Sequence, residues 1–387
     1  MAHPMSGRAA ICGLGMTDMG RVYRSATDLG AEAVHLALAD AGLEKAQLDG
    51  LLINAGTTRG VNLGLHRTLG LKELNVLTFM QGFGSSAGQM IQYAAMAVEN
   101  GLADYIACVF ADDPLQEGKR TGDAYANRSR PEAMASLFPI YGYAGAIPMY
   151  AMGAQRHMDT YGTTQDQLGQ IAISQREWAA HNEQATKREP LTLDDYHASP
   201  WVVEPFHVLD CCLVSNGGVA VIVTSAERAR DCAQPPVYIR GFAQAHNHDT
   251  GYAGHDPLLE GPGAKAGPRA LAMADASLED VTQCQLYDCY TYTVLVTLED
   301  YGFCPRGEGG AFVADGKLGP GGSLPTNTGG GELSSFYMWG MTPVTEAVIQ
   351  GRGHGGSRQA PNDLILVTGN GGVLNYHATL LLSPQAA

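Results

Sequence analysis

An α/β protein made of two duplicated halves is the fold class this sequence predicts, on three observations. Segment 36–54, LALADAGLEKAQLDGLLIN, aligns without a gap with 271–289, LAMADASLEDVTQCQLYDC, at an offset of 235 residues. Leu36, Ala37, Ala39, Asp40, Ala41, Leu43, Glu44 and Leu51 face identical residues. Each copy follows an apolar strand-like run, AAICGLG or VYIRGFA, and leads into another. Chance similarity of two amphipathic helices does not reproduce an order of elements, so the pattern points to duplication.

In chain order, AAICGLG reads as the first strand, followed by a helix stopping at Gly42, with Ser277 the corresponding stop in the second copy. AAMAVENGLADYIACV then gives a helix feeding a buried strand, echoed by VTEAVIQG and NDLILVTGN. Between them, about 112–210 interrupts the alternation with aromatics, methionines, a helix in TTQDQLGQIAISQREWAAHN and a polar loop. This stretch is expected to be an insertion that covers a sheet edge and shapes a pocket. GGVAVIVTS reads as a buried strand, and Pro235 and Pro236 break any element at the crossover. The halves are therefore expected at 1–232 and 233–387.

The 387 residues carry a formal net charge of −15, with 45% apolar and 16% charged residues. That composition is globular, and its acidity argues against nucleic acid as a partner. The apolar runs are too short to span a membrane, and no apolar secretory core follows the first charges, so a cytoplasmic location is expected. The eight cysteines form no C-x-x-C pair, which fits reduced thiols. Scattered cations (Lys119, Arg120, Arg128, Arg130, Lys187, Arg188, Lys265, Arg269) form no strong run. His246 and His248 have a metal-compatible spacing, but two ligands do not make a site, and no metal is expected.

The duplicated halves, together with LLEGPGAKAGPRALAMADASLEDV, DCCLVSNGGVAVIVTSAERA and NTGGGEL, resemble the thiolase superfamily, in particular the sterol-carrier-protein type. The resemblance runs over essentially the whole chain. It implies a five-layered α/β/α/β/α sandwich, a homodimer and a substrate carried as a CoA thioester, with no permanently bound cofactor. The catalytic positions depart from that family. Gly84 stands where the nucleophilic cysteine is expected, and no cysteine lies between Cys12 and Cys108. The two histidine positions fall on Tyr287, in YDCY, and on Tyr337, ten residues after Asn327. The second family cysteine falls around Thr368–Gly372, which contains no sulfur. Without an activated nucleophile no acyl-enzyme forms. The tyrosine pattern is instead similar to thiolase-fold aldolases of bacterial steroid side-chain degradation. These cleave β-hydroxyacyl-CoA thioesters and work with a small partner carrying a zinc ribbon and an OB-fold.

Retro-aldol cleavage needs a base at the β-hydroxyl, an acid at Cα and donors at the thioester oxygen. Tyr337 is the candidate acceptor and Tyr287 the candidate donor, or the reverse. A phenol with a reference pKa of about 10 serves as base only if its anion is favoured. Expected oxyanion and substrate contacts are backbone N–H groups at Gly84 and Ser85, the Gly-rich loop Gly369, Asn370 and Gly371, and the Asn327 side chain. Gly84 in place of cysteine is also expected to open room for a branched β-carbon. Ser85 and Ser86 are expected as helix N-caps rather than nucleophiles. Two alternatives remain: an acyltransferase using Cys289, two residues beyond Tyr287, and an inactive scaffold subunit.

Overall fold

A computed structural model describes residues 3–124, 140, 142, 145–247 and 256–386. In chain order the first half gives β1 (Ala9–Met16), α1 (Ala26–Ala41), β2 (Gly50–Ala55), α2 (Leu65–Thr68), β3 (Val76–Phe79), α3 (Ser86–Glu99) and β4 (Tyr105–Asp112). There follow α4 (Ile147–Tyr161), α5 (Gln165–Ala180), α6 (Leu193–Ala198), the short hairpin β5 (Trp201–Val203) and β6 (Phe206–His207), β7 (Gly217–Ser225) and α7 (Ala226–Ala229). The rest is β8 (Val237–His246), α8 (Gly263–Ala274), β9 (Gln283–Gln285), α9 (Thr291–Tyr301), α10 (Gly309–Ala314), α11 (Met341–Gly351), β10 (Ile365–Gly371) and β11 (Tyr376–Ser383).

Strand order is β3-β2-β4-β7-β1-β8-β11-β10-β9. The central joint, β1 against β8, is only two residue pairs long, Ala10 with Tyr238 and Ile11 with Val237. Outward from it the sides mirror each other. β7 and β11 run antiparallel to β1 and β8, β4 and β10 run antiparallel to β7 and β11, and β2 and β9 complete parallel pairs. Helices α3 and α11 touch strands of both sides and are buried almost all round, as a central layer must be. α1 and α8 bury one face each on the outer sides. The result is five layers.

The apolar runs GGVAVIVTS and NDLILVTGN do form buried strands, β7 and β10. The repeat register needs correction. α1 ends at Gly42 (φ 70°), but α8 ends at Asp275 (φ 56°), not at Ser277. Ser277 instead caps the next short turn through Asp280, as Glu44 does through Gln47. Gly42 with Asp275, Glu44 with Ser277, and the starts of β2 and β9 are each 233 residues apart. The identities at an offset of 235 therefore pair residues that are two places apart in structure.

The stretch 112–210 supplies α4, α5 and α6. α5 starts at a Thr164–Gln167 capping box and packs on α9, α10 and the turn Gly331–Ser335. His157 of α4 meets Glu299 of α9 at 3.1 Å, both fully buried. The insertion thus seats on the loops of the second half. Arg128, Arg130 and His248 lie outside the described residues. Among the described residues, no group of three or more potential metal ligands occurs, and no helix is long and apolar enough to cross a membrane.

Candidate active site

Tyr287 lies just beyond β9, where the chain turns into α9. Its N–H donates to Thr368 Oγ1 on β10 (3.0 Å), and the preceding Leu286 N–H donates to Asn327 Oδ1 (2.6 Å). Asn327 holds its own place in left-handed backbone (φ 54°) by donating its N–H to Cys284 O and accepting from Gly330 N–H. Its role here is to clamp the end of β9 to the loop that carries Tyr337. Tyr337 leaves that loop with its N–H on Ser215 Oγ at 3.1 Å. The two phenol oxygens meet at 3.1 Å, Tyr287 buried and Tyr337 half-buried.

Gly84 is part of the same contact, but not as open room. A Cβ there would collide with the Tyr287 ring and with Asn370 O. The space a side chain at Gly84 would take is filled by the tyrosine ring. A Cβ at Gly340 would in turn strike Gly84 O, and one at Gly369 would lie 2.6 Å from that oxygen. Small residues let three backbone segments converge there.

Part of the expected donor array is engaged elsewhere. Gly369, Asn370 and Gly371 are the end of β10, paired with Ala378, His377 and Tyr376 of β11, and not a loop. Ser85 N–H donates to Gly82 O and Ser86 N–H to Phe83 O, because a tight turn over 83–85 precedes α3 and uses these groups. Ser85 occupies the N-cap position of α3 without a side-chain cap, its hydroxyl donating back to Gly82 O at 2.6 Å. Ser86 Oγ accepts from Gly82 N–H. Asn370 Oδ1 and Asn327 Nδ2 are buried without a hydrogen-bonding partner among the described residues.

Electrostatically the site favours neutral groups. Burial, then the neighbouring Tyr337 and Glu332, holds the Tyr287 phenol well above its ordinary range. Burial and Glu332 do the same to the Cys289 thiol. Asp288 accepts from Glu332 N–H and Leu333 N–H, yet burial raises it to about 7. Glu332 is pushed well above the carboxylate range by burial and by Asp288. Sequence reasoning missed Glu332, although a lone carboxylate inside the small-residue motif NTGGGEL was the available signal.

Around the tyrosines stands an aromatic wall: Trp339, two residues beyond Tyr337, meets Phe83 at 5.9 Å and Phe110 at 5.3 Å between ring centres. A small cleft of about 20 Å³ touches Asp288, Asn327, Glu346 and Arg358 but neither tyrosine. The insertion braces the loop, with Arg176 Nε on Ser334 Oγ, Asn182 Nδ2 on Gly329 O and Lys187 N–H on Ser334 O.

Residues 243–384 match the family described as thiolase C-terminal domain-like. A steroid side-chain-cleaving aldolase of Thermomonospora curvata is 38% identical over 383 residues, covering 95% of this chain and 96% of its own. The chain belongs to the thiolase superfamily. Another relative in that superfamily is the 17-hydroxy-3-oxo-4-pregnene-20-carboxyl-CoA lyase of Mycobacterium tuberculosis, 36% identical over 379 residues and covering 95% and 98% of the two chains. The solved Ltp2-ChsH2(DUF35) aldolase superposes with a TM-score of 0.87 at 35% identity over 98% of each chain. In this chain Gly84, Tyr287 and Tyr337 form one connected unit: the ring of Tyr287 stands where a side chain at Gly84 would be, and its hydroxyl meets that of Tyr337.

Proposed function

We propose that this chain is a carbon–carbon lyase that cleaves a bulky β-hydroxyacyl-CoA of a steroid side chain by retro-aldol chemistry, giving a ketone or aldehyde and a short acyl-CoA. The observation that carries the reading is the 3.1 Å pair of phenol oxygens beside a glycine at the family's nucleophile position. Two relatives whose names are those of an aldolase and a CoA lyase, at 38% and 36% identity, support the reaction class.

In this reading Tyr337 meets the β-hydroxyl and Tyr287, kept neutral by burial, protonates the enolate carbon. Glycines 84, 369 and 371 serve by letting backbone approach closely, and Asn327 serves by fixing the tyrosine-bearing segments. The aromatic wall at Phe83 and Trp339 suits a ring system. Exposed Lys187, whose N–H donates to Ser334 O of the site loop, and its exposed neighbour Arg188 are the candidates here for CoA phosphates. The aldolase complex among the similar structures supports a small partner protein, for which a zinc-ribbon/OB-fold chain is the expectation. The reading also keeps a cytoplasmic homodimer and the division at 1–232 and 233–387.

Against an acyltransferase using Cys289 stands a thiol pushed away from the nucleophilic thiolate. The test is co-expression with that partner and mass spectrometry of the products of a 17-hydroxy steroid side-chain CoA thioester. Release of the C17 ketone and propionyl-CoA without free CoA is expected. Cleavage only when free CoA is supplied means thiolysis and overturns the reading, and no turnover at all leaves the scaffold.

A further inference from the structure

All eight cysteines are free thiols, and two of them, Cys12 and Cys232, stand together at the C-terminal end of α1. Cys12 is the extra residue of a bulge in β1: Ile11 pairs with Val223 and Gly13 with Ile222, so Cys12 has no opposite residue on β7. A bulge of this kind re-aims a side chain, and Cys12 is fully buried in the core shared with α1. Cys232 reaches the same place from the turn after α7. The next residue, Ala233, donates its N–H to Ala41 O at 2.9 Å and would lie 3.0 Å from a Cβ at Gly42, which ends α1. Half-buried Cys232 packs on the same core as Cys12, its Sγ lies 3.6 Å from Arg228 O, and the Cys12 thiol hydrogen-bonds to its sulfur.

Arg352, just beyond α11, closes the group from the second half. Its Nη1 donates to Asp40 at 2.8 Å and its Nη2 to Cys12 O at 3.0 Å. The side chain is 3% exposed, and its Nε has no hydrogen-bonding partner among the described residues. A fixed cation with an unused donor beside two thiols favours a thiolate. The hydrogen bond from Cys12, helped by this guanidinium, holds the Cys232 thiol below its ordinary range against burial and Asp231. The same hydrogen bond, with burial, keeps the Cys12 thiol protonated. The pair is thus divided into a reachable nucleophile and a sheltered partner, which is how a redox-responsive dithiol is built.

We propose that Cys12 and Cys232 are a modification site that closes to a reversible disulfide when the protein meets a hydroperoxide, sharing no residue with the tyrosine pair. The Cys232 sulfur attacks one peroxide oxygen and the O–O bond breaks. One oxygen stays on sulfur as the sulfenic acid, and the other leaves as water, or as the alcohol of an organic peroxide. The Cys12 sulfur then attacks the Cys232 sulfur, the S–O bond breaks, and the hydroxide leaves as water with the Cys12 proton. The two thiols lose two electrons and two protons, and the peroxide takes up both. A dithiol reductant reverses the step.

The test exposes the reduced full chain to a small molar excess of hydrogen peroxide near neutral pH and maps the thiols by peptide mass spectrometry without reductant, with Cys232→Ser and Cys12→Ala alongside. In the parent, a link between the Cys12 and Cys232 peptides within one chain is expected, two hydrogens lighter than the dithiol and removed by dithiothreitol. In Cys232→Ser, Cys12 is expected to stay a thiol. In Cys12→Ala, dimedone is expected to trap the sulfenic acid on Cys232. The proposal is overturned if the parent keeps both thiols, links them only between chains, or carries Cys232 to the sulfinic acid while Cys12 stays free. Oxidation of Cys12 in Cys232→Ser overturns the order of attack. Should Cys12→Ala not fold, the parent and the half-buried Cys232→Ser decide the question by themselves.

Discussion

The ring of Tyr287 stands in the space that any side chain at Gly84 would need. Gly84 and Tyr287 are therefore sterically coupled, and neither can take another side chain without disturbing the other.

Gly84→Ala is expected to lower stability by about 1–3 kcal/mol, the usual cost of overpacking a closed interior, and to cut turnover by displacing Tyr287 from Tyr337. Gly84 is not among the residues with left-handed backbone, so conformational strain does not confuse the result. Urea denaturation reads it directly. A gain of about 0.4–1 kcal/mol, as for a sterically free Gly→Ala, would show that the ring is not held there.

Much of this fold was legible because it rests on local pattern. β7, β10 and the capped start of α5 follow from apolar runs and a Thr-x-x-Gln signature. The duplicated order was visible too, but its register was not, since the identities at Asp40 and Asp275 outlie a two-residue difference in helix length before the cap. At the site, Tyr287 and Tyr337 were found through resemblance, whereas their contact depends on Thr368 and Ser215, far away in sequence. Gly369–Gly371 read as a loop by composition and turned out as a strand because β11 pairs with it. Glu332 went unread because its burial beside Asp288 is a property of the packed interior alone.

The pH dependence of stability should carry the mark of Asp288. Burial raises its folded pKa to about 7, above the ordinary aspartate value of about 3.9, so the folded state holds the proton more tightly than the unfolded one. The stabilisation is present in full below about pH 4 and is lost as pH rises toward and through 7, a change on the order of 4 kcal/mol. Relative to wild type, Asp288→Asn should therefore gain in thermal midpoint between pH 5 and pH 7 and level off above that. A difference independent of pH would contradict the buried, protonated carboxyl.

Thiol chemistry should leave activity untouched. Half-buried Cys232 has its thiol held below the ordinary range by a hydrogen bond from Cys12, while Cys289 is buried and raised. Iodoacetamide near neutral pH is expected to label Cys232 first, as mapped by peptide mass spectrometry, with turnover retained. Cys289→Ala should stay within about threefold of wild type. Inactivation that tracks labelling of Cys289 would restore the acyltransferase.

The most direct test of the central claim is a double-mutant cycle on the two phenols. Tyr287→Phe and Tyr337→Phe should each lower kcat by about 10² or more. The double variant should be little worse than either, as for groups acting as one unit. Near-normal turnover in either single variant would mean that the 3.1 Å hydroxyl pair is packing and not chemistry, and fully additive losses would mean that the two phenols do not act as one unit.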